Sequence, residues 1–181
     1  MASLIDKLSD SPQRPTWAEI DLNNLASNFN EIRNRVGDVK VMAVVKANAY
    51  GHGAVQCARR LVKEGAEWFG VALPEEGIEL RSAGVGQPIL SLGGFWEEQA
   101  GLCIQQRITP VVYRLGMIAA LNRAAQDAGT VVDVHLKIDT GMGRLGIRSD
   151  QLSHFVSGLK EFQNVRIDGL MTHFAAADDA A

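Results

Sequence analysis

The sequence is poor in cysteine and has no pattern that would use cysteine or histidine to bind a metal. Its 181 residues include two cysteines, Cys57 and Cys103, and neither belongs to a C-x-x-C pair. Metal and redox sites built on cysteine usually carry such pairs. His52 and His154 likewise lack the neighbouring ligands of a metal site. We therefore expect no metal centre and two reduced, partly buried thiols, as is usual for a cytosolic protein.

Long apolar runs and runs of positive charge are also missing. No stretch approaches the roughly 18 apolar residues that a membrane-spanning helix needs. The N-terminal segment MASLIDKLSDSPQRP carries acidic residues and no long apolar run, so it does not read as a secretory signal. The formal net charge of −3 makes nucleic acid and anionic membranes poor partners. These absences favour a cytoplasmic globular protein, with residues 1–15 as a flexible arm.

What the chain does contain is an alternation of apolar strands and amphipathic helices. Helical spacing of apolar residues links most of the strands, and glycines such as Gly37 and Gly129 end helices. Strict alternation with short connections predicts a parallel sheet with right-handed crossovers. The predicted strands cover residues 17–22, 40–47, 68–73, 88–94, 108–113, 131–138 and 165–174.

Two architectures fit this order: an open doubly wound sheet and a closed α/β barrel. The dinucleotide fingerprint G-x-G-x-x-G is absent after the first strand, which disfavours the open sheet. A barrel has eight strand–helix units and normally at least about 200 residues. Counting from the strand at 40–47, about six units are started. We therefore expect residues 16–181 to form an incomplete (β/α)8 TIM-type barrel.

Lys46 lies at the end of a continuous apolar segment, KVMAVVKA. A continuous apolar run predicts a strand buried on both faces, and burying an ammonium group is costly. Desolvation favours the neutral amine, which is the form that Schiff-base formation requires. The carboxyl ends of barrel strands are also the catalytic face. Lys46 is thus a candidate nucleophile, although a surface lysine with a solvated or paired charge would fit the same position.

A second group of charged residues lies in the segment HLKIDTGMGRLG. Lys137 and Asp139 alternate with apolar neighbours, so both should face one side of their strand. Inside a barrel that side is buried, and a buried charge needs a partner. The glycines that follow allow a turn that returns Arg144 to the strand end, where it could bind an oxygen anion. A structural Lys–Asp pair with a loop arginine explains the pattern equally well.

His173 stands at the end of the last predicted strand, in GLMTHFAAAD. A single histidine is usually a structural residue, and Tyr50, which could offer its hydroxyl to a phosphate, is weak support by itself. However, Lys46, Arg144 and His173 all follow strands of a parallel sheet, whose carboxyl ends share one edge. Three polar groups on that edge favour a functional site.

Three separated motifs resemble the alanine racemases, a fold-type III family that depends on pyridoxal 5′-phosphate (PLP). VVKANAYGHG is similar to the cofactor-attachment motif of that family. HLKIDTGMGRLG and GLMTHFAAAD follow in the same order as in the family, and TWAEIDLNNLASN resembles its entry segment. The resemblance covers roughly residues 15–179.

The resemblance implies a role for each candidate residue. Lys46 would attach PLP covalently and act as acid and base on one face of the substrate Cα. Tyr50 would donate to the cofactor phosphate, and Arg144 would bind the phenolic oxygen. Lys137 matches a position that is often carbamylated and that positions the arginine. His173 would lie beside the pyridine ring.

The resemblance also implies a reaction and an assembly. The reaction is the interconversion of L-alanine and D-alanine, which supplies D-alanine for peptidoglycan, and the full-length protein would be a homodimer. The second proton donor of the family is a tyrosine on the C-terminal β-domain of the partner subunit. That domain and the last two barrel strands are not recognisable in these residues, so we expect little turnover from residues 1–181 alone.

Other functions are compatible with the sequence. A non-catalytic PLP-binding barrel of cofactor homeostasis would suit the short length. A broad-specificity amino-acid racemase would share the same motifs. A Schiff-base aldolase on a similar barrel would use the lysine without PLP.

Overall fold

The computed structural model describes residues 16–179, and the arm predicted at residues 1–15 lies outside this range. Within the described range, α-helices alternate with parallel strands. The helices are α1 (Leu22–Val36), α2 (Ala54–Lys63), α3 (Pro74–Ser82), α4 (Ala100–Gln105), α5 (Leu115–Asp127) and α6 (Leu152–Leu159). The strands are β1 (Met42–Val44), β2 (Trp68–Val71), β3 (Ile89–Ser91), β4 (Ile108–Val112), β5 (Val132–Asp139), β6 (Ile147–Arg148) and β7 (Val165–Met171).

All the strands of the described chain belong to one parallel sheet. The order runs from β1 through β5, and β5 pairs with both the short β6 and the long β7. Between residues 16 and 179, β1 and β7 do not pair with each other, so the sheet stays open. The predicted parallel α/β architecture is confirmed, in the form of a barrel wall that is not closed.

The prediction of a strand over residues 17–22 is wrong. Residues 16–21 have no regular structure, and Trp17 is 80% exposed. Asp21 instead caps helix α1: its carboxylate accepts hydrogen bonds from the backbone N–H groups of Asn23, at 2.7 Å, and Asn24, at 3.2 Å. A capping aspartate stabilises a helix start by about 1 kcal/mol, and no strand of the described chain pairs with this segment.

Two apolar clusters hold the helices against the sheet. The first lies under α1, α2 and α3 and includes the fully buried Phe69, Leu80 and Ile89. The second lies under α4, α5 and α6 and includes Ile118 and Leu121. Each such side chain contributes about 1.5–3 kcal/mol when it is fully buried. Helices therefore cover one face of the sheet, and its carboxyl edge stays open.

The two cysteines lie in these clusters. Cys57 and Cys103 are both free and buried. Burial raises the pKa of the Cys57 thiol, and it raises that of Cys103, with a smaller contribution from Glu75, to about 12. Both thiols are therefore protonated near neutral pH, which makes them weak nucleophiles. No helix between residues 16 and 179 is long and apolar enough to cross a bilayer.

A polar group of side chains connects β5 to β7 and β2. Arg166 pairs with Asp133 at 2.6 Å, and His135 Nε2 lies 3.8 Å from a carboxylate oxygen of Asp168. The His135 ring also contacts Trp68, with 5.6 Å between ring centroids. Burial lowers the pKa of His135, and the carboxylates of Asp168 and Asp133 partly oppose that effect.

Acidification should therefore destabilise the fold through His135. A histidine whose pKa is lower in the folded state favours folding in its neutral form, so stability is lost as the pH falls below the unfolded value of about 6.5. We expect the free energy of unfolding in urea to fall more between about pH 7.5 and pH 5.5 for the native protein than for His135→Asn. Equal losses in the two proteins would contradict this assignment.

Candidate functional site

A cavity of about 350 Å³ lies at the carboxyl ends of the strands. It brings together four of the side chains that the sequence singled out: Lys46, Lys137, Arg144 and His173. Its apolar walls include Met42, Leu92 and Met171, and none of its lining residues within the described chain is acidic. We call it the cationic cavity.

Lys46 enters the cationic cavity from just beyond β1. The strand ends at Val44, which is 39% exposed, and Lys46 itself is half-buried. The sequence predicted a strand over 40–47 that is buried on both faces; the observed strand is shorter and more open. Among the described residues β1 pairs only with β2, so its other edge is not covered.

The chain makes an unusual turn directly after Lys46. Four consecutive non-glycine residues, Ala47 to Tyr50, have φ between +50° and +55°. Left-handed backbone costs roughly 1–2 kcal/mol for each such residue. The side chain of Asn48 stabilises the turn by accepting a hydrogen bond from the backbone N–H of Ala54 at 2.8 Å. Strain of this kind is concentrated at functional sites.

Tyr50 is carried away from the cavity by this turn. Its side chain is 61% exposed and does not line the cationic cavity. It lies instead on a second cavity with Asp21 and His52, and its ring centroid is 5.9 Å from Lys46 Nζ. The structure thus places Tyr50 beside Lys46 and apart from the other three candidates.

Lys137 is the most buried charged group of the site, with 4% of its surface exposed. Desolvation lowers its pKa, and the positive charges of Arg144 and Lys46 lower it further, while Asp139 has the opposite effect. A lysine with a lowered pKa carries more of the neutral, nucleophilic amine at neutral pH. Lys137 is therefore a second amine in the cationic cavity, and burial favours its neutral form.

Asp139 stabilises the loop that returns Arg144 to the cavity. One of its carboxylate oxygens accepts hydrogen bonds from the backbone N–H groups of Gly141, at 3.0 Å, and Gly143, at 3.1 Å. The same donors hold the pKa of Asp139 below its usual range. Arg144 is exposed and lines the cavity at its open side. Asp139 thus supports the loop, and it does not line the cavity with Lys137.

His173 follows the end of β7 and lines the cavity. The hydroxyl of Thr172 lies 2.6 Å from that of Thr140 and donates a hydrogen bond to the carbonyl of Ile138 at 2.9 Å. These contacts fasten the end of β7 to the end of β5. The imidazole of His173 is exposed at the cavity mouth.

The site suits an anionic aromatic ligand. Three basic side chains, Lys46, Lys137 and Arg144, converge on the cavity, and a bound negative charge would offset the repulsion between those that are charged. The apolar walls offer contact to a flat ring. Among residues 16–179, no group of His, Cys, Asp or Glu side chains is arranged to hold a metal ion. Sequence reasoning missed Glu76, whose carboxylate contacts the turn after Lys46; the only sequence signal for it is a Pro-Glu-Glu helix start.

Known proteins match this chain over nearly all its length. The curated alanine racemase of Halothermothrix orenii is 47% identical over 92% of this chain and 44% of its own length. The structure of Clostridium difficile alanine racemase in complex with cycloserine is 40% identical and superposes with a TM-score of 0.86, over 93% of this chain and 47% of that one. A histidine racemase from Leuconostoc mesenteroides is 30% identical, with a TM-score of 0.84, over 94% and 46% of the two chains.

These relatives are longer than the chain, which spans about half the length of those it matches. The family model described as "Alanine racemase, N-terminal domain" matches residues 20–181. This range holds Lys46, Lys137, Arg144 and His173, the four residues that meet in the cationic cavity. The chain therefore belongs to the alanine racemase family, as its N-terminal domain.

Proposed function

We propose that this chain is the PLP-binding part of a cytoplasmic alanine racemase that supplies D-alanine for peptidoglycan. The observation that carries the proposal is the convergence of Lys46, Lys137 and Arg144 on one apolar-walled cavity at the carboxyl ends of the strands. Such a cavity is the usual place of catalysis on a barrel wall.

The residues present fit PLP, which is an aromatic anion. Lys46 would hold its aldehyde carbon, and the guanidinium of Arg144 would bind its phenolic oxygen. His173 would lie beside the ring, and the hydroxyl of Tyr50 would donate to the phosphate. Tyr50 is exposed and its ring centroid lies 5.9 Å from Lys46 Nζ, so we assign it a contact at the edge of the site. When bound, PLP withdraws electrons from the substrate and makes the proton on Cα more acidic.

The amine of Lys46 would then move the proton on one face of the substrate Cα. Racemisation needs acid–base groups on both faces, and each contributes about 10²–10⁴-fold in rate. We place the second group outside the described residues, on the partner subunit of a homodimer. Arg144 and His173, which both line the cavity, are exposed.

Lys137 would help to orient Arg144 if its amine were converted to a negatively charged group. Its neutral amine adds to carbon dioxide, which forms an N–C bond and releases one proton, and the product is an anionic carbamate. That anion would lie among the positive charges of Lys46 and Arg144, whose influence on Lys137 is already repulsive. Carbamylation would thus turn the repulsion into attraction and orient Arg144.

A broad-specificity amino-acid racemase is the second candidate. The observation in its favour is the similarity to a histidine racemase, at 30% identity and a TM-score of 0.84. The higher identity to alanine racemases, 47% for one curated relative, makes alanine the preferred substrate.

The test is proton exchange at Cα. The protein is incubated with PLP and D-alanine in deuterated water, and the product is followed by NMR and chiral chromatography. We expect deuterium at Cα and conversion to L-alanine, with slower exchange for histidine. PLP binding without exchange would support a homeostasis protein, and a colourless protein with aldolase activity would exclude both racemase readings.

A further inference from the structure

Glu76 connects the turn after Lys46 to the neighbouring strand–helix unit. Its Oε1 accepts a hydrogen bond from the backbone N–H of Ala47 at 2.7 Å. Its Oε2 accepts one from Ala72 at 2.6 Å and a longer one from Leu73 at 3.4 Å. One half-buried carboxylate therefore fastens two loops that follow adjacent strands, β1 and β2.

The bond to Ala47 acts on Lys46 directly. The N–H of Ala47 and the carbonyl of Lys46 belong to the same planar peptide group. That plane is one of the two peptide groups that flank the Lys46 Cα, so fixing it limits the directions in which the Lys46 side chain can leave the backbone. The second oxygen binds Ala72, which lines the cationic cavity. The carboxylate therefore holds the base of the lysine against the cavity wall.

The turn also needs such a support. Ala47 is the first of the four residues with left-handed backbone, at φ +50°, and a strained segment persists only where its surroundings determine it. Asn48 supports the far end of the turn through Ala54. Glu76 supports the near end, where the lysine is. Hydrogen bonds to a charged acceptor are stronger than those between neutral groups.

We propose that Glu76 is a positioning residue for Lys46. It acts through the peptide group between Lys46 and Ala47, and it does not itself line the cationic cavity. The consequence for catalysis rests on the proposed function, because it needs Lys46 to be the group that holds PLP. The geometric part, the anchoring of the turn, does not need that assumption.

The geometric part is tested on the protein without PLP. Glu76→Gln keeps the size of the side chain but replaces one acceptor oxygen by a donor, so it cannot satisfy both Ala47 and Ala72. Glu79→Gln, an exposed residue of the same helix, is the matched control. Hydrogen exchange of a peptide that covers residues 46–50 should become faster by roughly tenfold in Glu76→Gln and stay unchanged in Glu79→Gln. Unchanged exchange in both variants would overturn the proposal.

The consequence for Lys46 is tested by trapping. The protein is mixed with increasing PLP, reduced with sodium borohydride, and the label on Lys46 is measured by mass spectrometry. We expect Glu76→Gln to need roughly tenfold more PLP than the native protein for half-maximal labelling of Lys46. The labelling curve of Glu79→Gln should coincide with that of the native protein. Coincident curves for Glu76→Gln and native protein overturn the proposal. Absence of label in the native protein overturns the proposed function instead.

Glu76→Asp is the second variant, to be used if Glu76→Gln does not fold. Circular dichroism and thermal unfolding show whether each variant is folded. Aspartate keeps the negative charge at the start of α3 but is one methylene shorter, so it cannot span both loops. If Glu76→Gln does not fold, the same two measurements on Glu76→Asp decide: weakened labelling and faster exchange support the positioning role, and native values of both overturn it.

Discussion

Lys46→Ala is expected to abolish the visible absorption of protein-bound PLP and to lower racemisation by at least about 10²–10⁴-fold. The variant removes both the amine that would hold the cofactor and the base on one face of Cα. It should not unfold the protein, because Lys46 is half-buried and its charge repels that of Lys137. Absorption spectroscopy and initial rates with D-alanine measure the two effects.

The control for this variant is Lys63→Ala. Lys63 is exposed at the end of α2 and does not line the cationic cavity. The Lys63→Ala variant loses the same charge as Lys46→Ala but leaves the site unchanged. Its absorption spectrum with PLP and its racemisation rate should therefore equal those of the native protein. Native-like absorption and turnover in Lys46→Ala would contradict the assignment of this lysine.

Gly146→Ala is expected to destabilise the loop that carries Arg144. Gly146 has φ +137°, and a Cβ there would lie 2.6 Å from the backbone nitrogen of Asp139 and 2.9 Å from the carbonyl carbon of Ile138. Such backbone costs about 1–3 kcal/mol for a residue with a Cβ, and displacing the end of β5 adds roughly 1–3 kcal/mol. Urea unfolding measures the loss of stability, and PLP titration measures the effect on the site.

Gly141→Ala separates the cost of backbone strain from the cost of the steric contact with β5. Gly141 has a similar φ of +128°, but a Cβ there would meet nothing closer than Ala175, at 3.9 Å. Its loss of stability should therefore report the backbone strain alone, and Gly146→Ala should exceed it by about 1 kcal/mol or more. Equal losses would show that the contact with Asp139 is relieved without cost.

The order of strands and helices was predictable because burial leaves a direct trace in the sequence. The fully buried strand β3 and the helix α5 appear as an apolar run and as apolar residues at helical spacing. The convergence of Lys46, Arg144 and His173 was predictable for a related reason: all three follow strands of a parallel sheet, whose carboxyl ends share an edge.

Local patterns misled where two signals competed. Residues 17–22 alternate like a strand, but the carboxylate of Asp21 caps a helix, and the helix start is what forms. The two-residue strand β6 is too short to leave a periodic signal and depends on pairing with the end of β5. Both errors arise where tertiary contacts decide between conformations of similar free energy.

The arrangement around Lys46 was not predictable from the sequence. Nothing in the letters KANAY indicates four left-handed residues, since glycine is the residue that adopts such backbone readily. That turn leaves the Tyr50 side chain exposed beside Lys46, and the phosphate contact of Tyr50 stays a prediction. The role of Glu76 depends on its contact with Ala47, 29 positions away in the chain, and an acidic residue in the first turn of a helix is common for other reasons.

The most direct test of the account is to find which amine of the cationic cavity captures PLP. Lys46 and Lys137 both line that cavity, and Lys137 is the more buried of the two. The protein is loaded with PLP, reduced with borohydride and digested, and the modified lysine is identified by mass spectrometry. We predict that the label is found on Lys46 and that Lys137 is free of it; label on Lys137, or on neither lysine, would contradict the account.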